Sequence, residues 1–107
     1  MTSREIQSII SKVTKKLVDE YGASRVILFG SAVWGNFTED SDLDFLIVKD
    51  NVPSRGVDRI REVSGLIDRH GVAMDFLVYQ SRELEEGLRL GDPFLKEILN
   101  KGKVLHG

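Results

Sequence analysis

Apolar positions along this chain keep two rhythms, and the changes of rhythm mark its elements. Ile6, Ile9, Ile10, Val13, Leu17 and Tyr21 recur at three- and four-residue steps, which lines one face of a helix. Thr2 and Glu5 have capping-box spacing before that run and Gly22 follows it, so a helix is predicted near residues 3 to 21. Arg25 to Phe29 then reads as a short, nearly continuous apolar strand ended by Gly30, the pattern of a strand covered on both faces. A loop or short helix is expected over Ser31 to Thr38, then a polar link through Glu39, Asp40 and Ser41.

Asp42 to Val48 alternates, with Leu43, Phe45 and Ile47 on one face and Asp42, Asp44, Leu46 and Val48 on the other. After a loop at Asn51 to Ser54, Val57, Ile60, Val63, Leu66 and Ile67 restore the helical step until His70-Gly71. Val72 to Tyr79 is a third strand, Ser81 opens a helix weakened by Gly87, and Asp92-Pro93 starts another over Phe94 to Leu99. Lys103 to His106 is a candidate terminal strand. The order predicts an α+β (mixed α/β) arrangement, a small sheet with helices packed on it.

The carboxylates in this pattern break its rules. Asp is depleted from strand interiors, and burying an unpaired carboxylate costs several kcal/mol. Yet Asp75 lies inside Val72 to Val78, and Asp44 immediately precedes Phe45-Leu46-Ile47-Val48. Asp42 and Asp44 stand two apart, which in a strand aims both from one face about 6.8 Å apart. If the strands at 42–48 and 72–79 are neighbours, Asp75 joins them. Converging carboxylates repel unless a cation lies between them, and oxygen ligands favour magnesium or manganese over zinc. Two such ions about 3.5–4 Å apart suit phosphoryl or nucleotidyl transfer.

Beside this set lies Gly30-Ser31-Ala32-Val33-Trp34-Gly35. The glycines have P-loop spacing, but Asn36-Phe37 stands where Lys-Ser/Thr is required, and no G-x-G-x-x-G occurs. What remains is a turn where Gly30 permits close approach and Ser31 offers its N–H and hydroxyl to a phosphate oxygen. Each feature alone has an ordinary reading: a turn, a surface ion pair, a paired core charge. Their coincidence carries the argument.

Charge and composition narrow the partner. Fifteen Lys and Arg against 17 Asp and Glu leave a formal net charge of −2, which argues against a long nucleic acid and fits a small phosphorylated ligand or a protein. At 107 residues, 41% hydrophobic and 30% charged, one domain over residues 1–107 is expected. With no apolar stretch of membrane-spanning length, no signal-peptide core and no cysteine, the expectation is a cytoplasmic protein without disulfides.

The run Gly30-Ser31, Gly35, Ser41-Asp42-x-Asp44, with Asp75 on a later strand, resembles the signature of the polymerase β nucleotidyltransferase superfamily, and its small size resembles the minimal nucleotidyltransferases. That resemblance implies a small mixed sheet with helices mainly on one side. It implies that Gly30 and Ser31 hold the triphosphate, that Asp42 and Asp44 ligate two magnesium ions, and that Asp75 completes the site as ligand and base. The implied reaction moves AMP from ATP to a hydroxyl, releasing pyrophosphate. It also implies a helical HEPN-type toxin as partner, adenylylated on tyrosine by its antitoxin. Two alternatives stand: an antitoxin acting by occlusion, and adenylylation of a small molecule with a separate acceptor-binding chain.

This sequence departs from the resemblance in one respect. Many minimal members carry arginine in the glycine loop, where this chain has Ala32, Val33 and Trp34. Triphosphate charge would then rest on the metals, the loop N–H groups and a cation such as Lys49. Trp34 reads more readily as packing than as a base-stacking group, and Arg55 and Arg59 as a solvated helix face. His70 and His106 receive no role; His70 reads as a helix end and His106 as a mobile tail.

Overall fold

The computed structural model describes residues 2–35, 37–38 and 40–107; the parts of the predicted loop and link that fall on Asn36 and Glu39 lie outside them. Helix α1 (Ser3–Lys16) begins on the predicted capping box. The Glu5 N–H donates to Thr2 Oγ1 at 3.1 Å and the Thr2 N–H donates back to Glu5 Oε1 at 3.3 Å. It buries Ile6, Ile9, Ile10 and Val13, then widens into a π-helical turn over Leu17–Tyr21. That turn keeps Leu17 and Tyr21 in the core before Gly22 ends it.

Four strands follow: β1 (Arg25–Phe29), β2 (Leu43–Val48), β3 (Met74–Tyr79) and β4 (Lys103–His106). They lie in the order β3-β2-β1-β4, with β1 antiparallel to β2 and β4, and β2 parallel to β3. His106 is therefore a strand residue opposite Val26, not a free tail. Between the strands come the four-residue helix α2 (Ser31–Trp34), α3 (Gly56–Leu66), α4 (Ser81–Arg89) and α5 (Pro93–Lys101).

Strand alternation sorts the apolar residues into two layers. Val26, Leu28, Leu43, Phe45, Ile47, Met74, Phe76 and Val78 face α1, its π turn and α3. Ile27, Phe29, Leu46, Val48, Leu77 and Tyr79 face the shorter pair α4 and α5. The helices thus cover both faces, the heavier layer on the first. Central β2 is apolar almost throughout because both its faces are covered.

Two residues are placed differently from their sequence reading. Gly87 does not merely weaken α4: a Cβ there would lie 2.5 Å from Leu95 Cδ1, so its absence lets α4 and α5 close on one another. Arg59 is neither solvated nor near a phosphate site, being only 5% exposed. Its guanidinium donates to both Glu83 carboxylate oxygens, at 2.6 and 3.1 Å, and to the Pro53 and Val78 carbonyls at 2.5 and 3.1 Å. The clamp joins α3 to α4 around the outer edge of β3.

Arg59 hydrogen bonding holds the Glu83 carboxyl below its ordinary range. A depressed carboxyl stabilises the fold above its unfolded pKa and loses that contribution as the pH falls through the folded value. Glu83→Gln should strand the buried guanidinium and lower unfolding free energy by about 2 kcal/mol, less than the 3–5 kcal/mol of a fully buried pair because Glu83 is partly solvated. Urea unfolding near neutral pH checks this: the midpoint should fall with an unchanged slope, and the gap from wild type should narrow in acid.

Candidate active site

One end of the sheet collects the predicted chemistry. Phe29 of β1 stands opposite Asp44 of β2, and Asp44 opposite Asp75 of β3. Asp44 and Asp75 project on the face of Leu46 and Leu77, just beyond the part of that face roofed by α4 and α5. Asp42, two residues before Asp44, shares the face by strand period. The turn before it is closed by Thr38 and Ser41: the Thr38 N–H donates to Ser41 Oγ and the Ser41 N–H to the Thr38 carbonyl, both at 3.0 Å.

The three carboxylates act on one another electrically. The Asp42 carboxyl is raised by partial burial, then by its hydrogen bond to Asp75 and by the Asp75 charge. Asp44 is pushed up to about 6 by burial, then by the charges of Asp75 and Asp42. The apposition is pairwise, and among the described residues no group of three or more His, Cys, Asp or Glu side chains is arranged to hold a metal ion. The donor chemistry, all carboxylate oxygen, is nonetheless the kind a hard divalent cation takes.

Gly30 closes the other side of this set. Its φ of 79° and ψ of −156° lie in a region essentially reserved for glycine. A Cβ at residue 30 would also strike the Asp44 carboxylate. Its carbonyl accepts from the Val33 and Trp34 N–H groups at 3.0 and 3.1 Å, which starts α2. The N–H groups of Ser31 and Ala32, in the first turn, have no intrahelical acceptor. The Gly30 turn and the first turn of α2 therefore stand directly against the Asp44 carboxylate.

Lys49 is not part of it. It follows β2 at the far end, about 23 Å along the strand from Asp42, with its ammonium 4.2 Å from the centre of the Tyr21 ring. Trp34 is 42% exposed, its ring 6.3 Å from that of Phe29, while Phe94 meets Phe29 edge-on at 5.8 Å. Trp34 is thus neither core nor free: it leans on Phe29 at the lip of the site.

A cleft of about 520 Å³ opens beside the carboxylates, lined by Phe29, Asp44, Asp75 and Phe94 on one side and Ile60, Ser64 and Arg69 on the other. Sequence reasoning passed over Arg69 and Phe94, because only the folded sheet brings the segment after α3 and the start of α5 to the same cleft. Another cavity, about 400 Å³ between α1 and the end of α3, is remote from this chemistry. Its Lys15 and Lys16 are paired with Asp19 and Glu20.

The sequence and the fold both have recognisable relatives. The nucleotidyltransferase-domain profile matches residues 10–106. A provisionally named protein adenylyltransferase of Methanocaldococcus jannaschii is 27% identical, covering 99% of this chain and 75% of that protein. A second protein of that organism, also provisionally named a protein adenylyltransferase, is 34% identical over 77% of each chain. The protein adenylyltransferase MntA of Thermococcus cleftensis is 39% identical over 50% of this chain and 54% of its own length. The crystal structure of a provisionally named Sulfolobus solfataricus nucleotidyltransferase superposes with a TM-score of 0.55 at 26% identity, covering 80% of this chain and 82% of that one.

Gly30→Ala should lower any activity of this site by about 100-fold, because the turn and the Asp44 carboxylate must both shift; a folded variant by circular dichroism with unchanged kcat/KM would contradict this. Asp44 has its folded pKa above the unfolded one, so it favours the fold below about pH 4 and loses that advantage as the pH rises through 6. Without divalent cations, Asp44→Asn should therefore melt about 4 °C above wild type near neutral pH. That is roughly 1 kcal/mol after allowance for solvent screening, and the difference should vanish toward about pH 4. Melting curves across that range measure it.

Proposed function

Since this chain belongs to the minimal nucleotidyltransferase family of the polymerase β nucleotidyltransferase superfamily and is a nucleotidyltransferase, we propose that it transfers AMP from ATP to a hydroxyl of a protein acceptor. The acceptor in this reading is a tyrosine of a helical HEPN-type partner, which the chain serves as antitoxin. The observation that carries the reading is the apposition of Asp75 with Asp42 and Asp44 directly beside the Gly30 turn. The adenylyltransferase names of the relatives support a protein as acceptor.

The residues divide the work by position. Gly30 and the N–H groups of the α2 first turn, with the Ser31 hydroxyl, hold the phosphate tail in this reading. Asp42, Asp44 and Asp75 would hold magnesium, or manganese in its place, through carboxylate oxygen. A bound divalent ion supplies charge neutralisation at the phosphates and polarises the attacked phosphorus. In this reading Asp75, which lines the cleft on the edge strand, takes the proton of an entering hydroxyl. The hydroxyl oxygen then bonds to the α-phosphorus as the bond to pyrophosphate breaks, and AMP remains on the acceptor.

The test is label transfer from α-phosphate-labelled ATP in magnesium into a lysate of the source organism, with Asp42→Asn/Asp44→Asn alongside. A labelled protein band seen with wild type and lost in the variant, or in chelator, is the expected result. A partner captured equally by wild type and variant with no label transferred would instead establish neutralisation by occlusion. Pyrophosphate release driven by small acceptors alone would establish small-molecule adenylylation.

A further inference from the structure

The outer edge of β3 is closed at one end and open at the other, and the open end lies next to Asp75. Each residue of a parallel strand turns both its N–H and its C=O to the same side, alternating along the chain. Leu43 N–H donates to the Ala73 carbonyl at 2.9 Å and Lys49 N–H to the Tyr79 carbonyl at 3.0 Å. Residues 73, 75, 77 and 79 therefore face β2, while Met74, Phe76 and Val78 turn their backbone groups outward. Among the described residues no strand lies on that side.

The Val78 carbonyl is taken by the Arg59 guanidinium at 3.1 Å, which Glu83 holds in place. The outward N–H and C=O of Met74 and Phe76 have no partner in the hydrogen bonds among the described residues. Both residues line the 520 Å³ cleft together with Asp75, Ile60 and Arg69. Ile60 is 42% exposed there. Arg69 donates to Ser64 Oγ at 3.3 Å and takes part in none of the ion pairs among the described residues.

We infer that the acceptor enters as an extended peptide segment, pairing with Met74 and Phe76 as a short fifth strand beside β3 and carrying an acid next to its hydroxyl residue for Arg69. The inference rests on the adenylyl-transfer reading above. Two outward N–H groups and two outward C=O groups at a two-residue repeat match an extended backbone and no small molecule of the nucleotide kind. Alternation sends one side chain of the added strand onto the carboxylate face, where Asp75 meets its hydroxyl. The flanking side chains turn toward α3, one over Ile60 and one against the Arg69 guanidinium. Arg59 limits the pairing to this short stretch, so the segment is held at its hydroxyl rather than along a whole strand. In this arrangement Arg69 is a positioning residue.

An array of immobilised tyrosine-centred decapeptides, with Glu or Lys beside the tyrosine, tests this with α-labelled ATP and magnesium. Glu-flanked peptides should be labelled about tenfold better than Lys-flanked ones, the worth of a charge-assisted hydrogen bond. N-methylation of the peptide nitrogens facing Met74 and Phe76 should abolish labelling, while methylation of the intervening nitrogen should not. Arg69→Ala should erase the preference for Glu by raising the acceptor KM with the ATP KM within twofold, and Arg69→Lys should restore part of it. Labelling indifferent to backbone methylation would overturn the inference, as would intact lysate proteins labelled with every peptide left blank. A rise in the ATP KM on Arg69→Ala would overturn the role of Arg69. Wild type that binds ATP yet labels neither peptides nor proteins would overturn the transfer reading, and this inference with it.

Discussion

The register of β2 against its two neighbours is the constraint on which this molecule depends. Side chains alternate with a period of two, so a slip of one residue would turn Asp42 and Asp44 into the α1 layer and swing Leu43 and Phe45 out of it. Phe45 and Leu43, buried completely, thus hold the acids where they are. The carboxylates themselves oppose the arrangement, since Asp42 and Asp44 are both driven toward protonation, first by burial and then by the neighbouring carboxylates. Apolar burial on both sides of β2 offsets a local electrostatic cost, and that cost is concentrated where a cation and phosphates would relieve it.

The sheet ends are used unequally. At the carboxylate end, the Gly30 turn, the start of β2 and the start of β3 leave backbone donors and side-chain oxygens open. At the other end Lys49 settles on Tyr21, and Asp50 accepts from the Ser81 N–H at 2.7 Å, so charges there are absorbed locally. The same contrast runs along the β3 edge, closed by Arg59 and Glu83 near Val78 and open near Met74. Stability and chemistry occupy opposite ends of the same strands.

Most of the fold could be read from local pattern because its signals are local. The Thr2-Glu5 cap, the α1 apolar face, the alternation of Leu43 to Val48 and the Asp92-Pro93 start each need only a few neighbouring residues. The carboxylates were legible for the opposite reason: they violate local preference, and a violation repeated at Asp44 and Asp75 pointed to one place. Arg59, Gly87, Lys49 and Arg69 were misread or missed because their roles are set by residues on other elements of the fold. Gly87 looks weak until Leu95 is laid against it, and Arg59 looks solvated until Glu83 curls round the strand edge. His106 looked loose because its partner, Val26, lies 80 residues earlier.

Trp34 gives the molecule an optical property. It is the one indole in the chain, half exposed and resting on Phe29, whereas Tyr21 is buried under α3 and Tyr79 lies at the distant end of β3. Emission excited at the red edge of the indole band therefore comes wholly from the glycine loop. The polarity sensed by one ring, and the rate at which it tumbles, become a readout of that loop with no label attached.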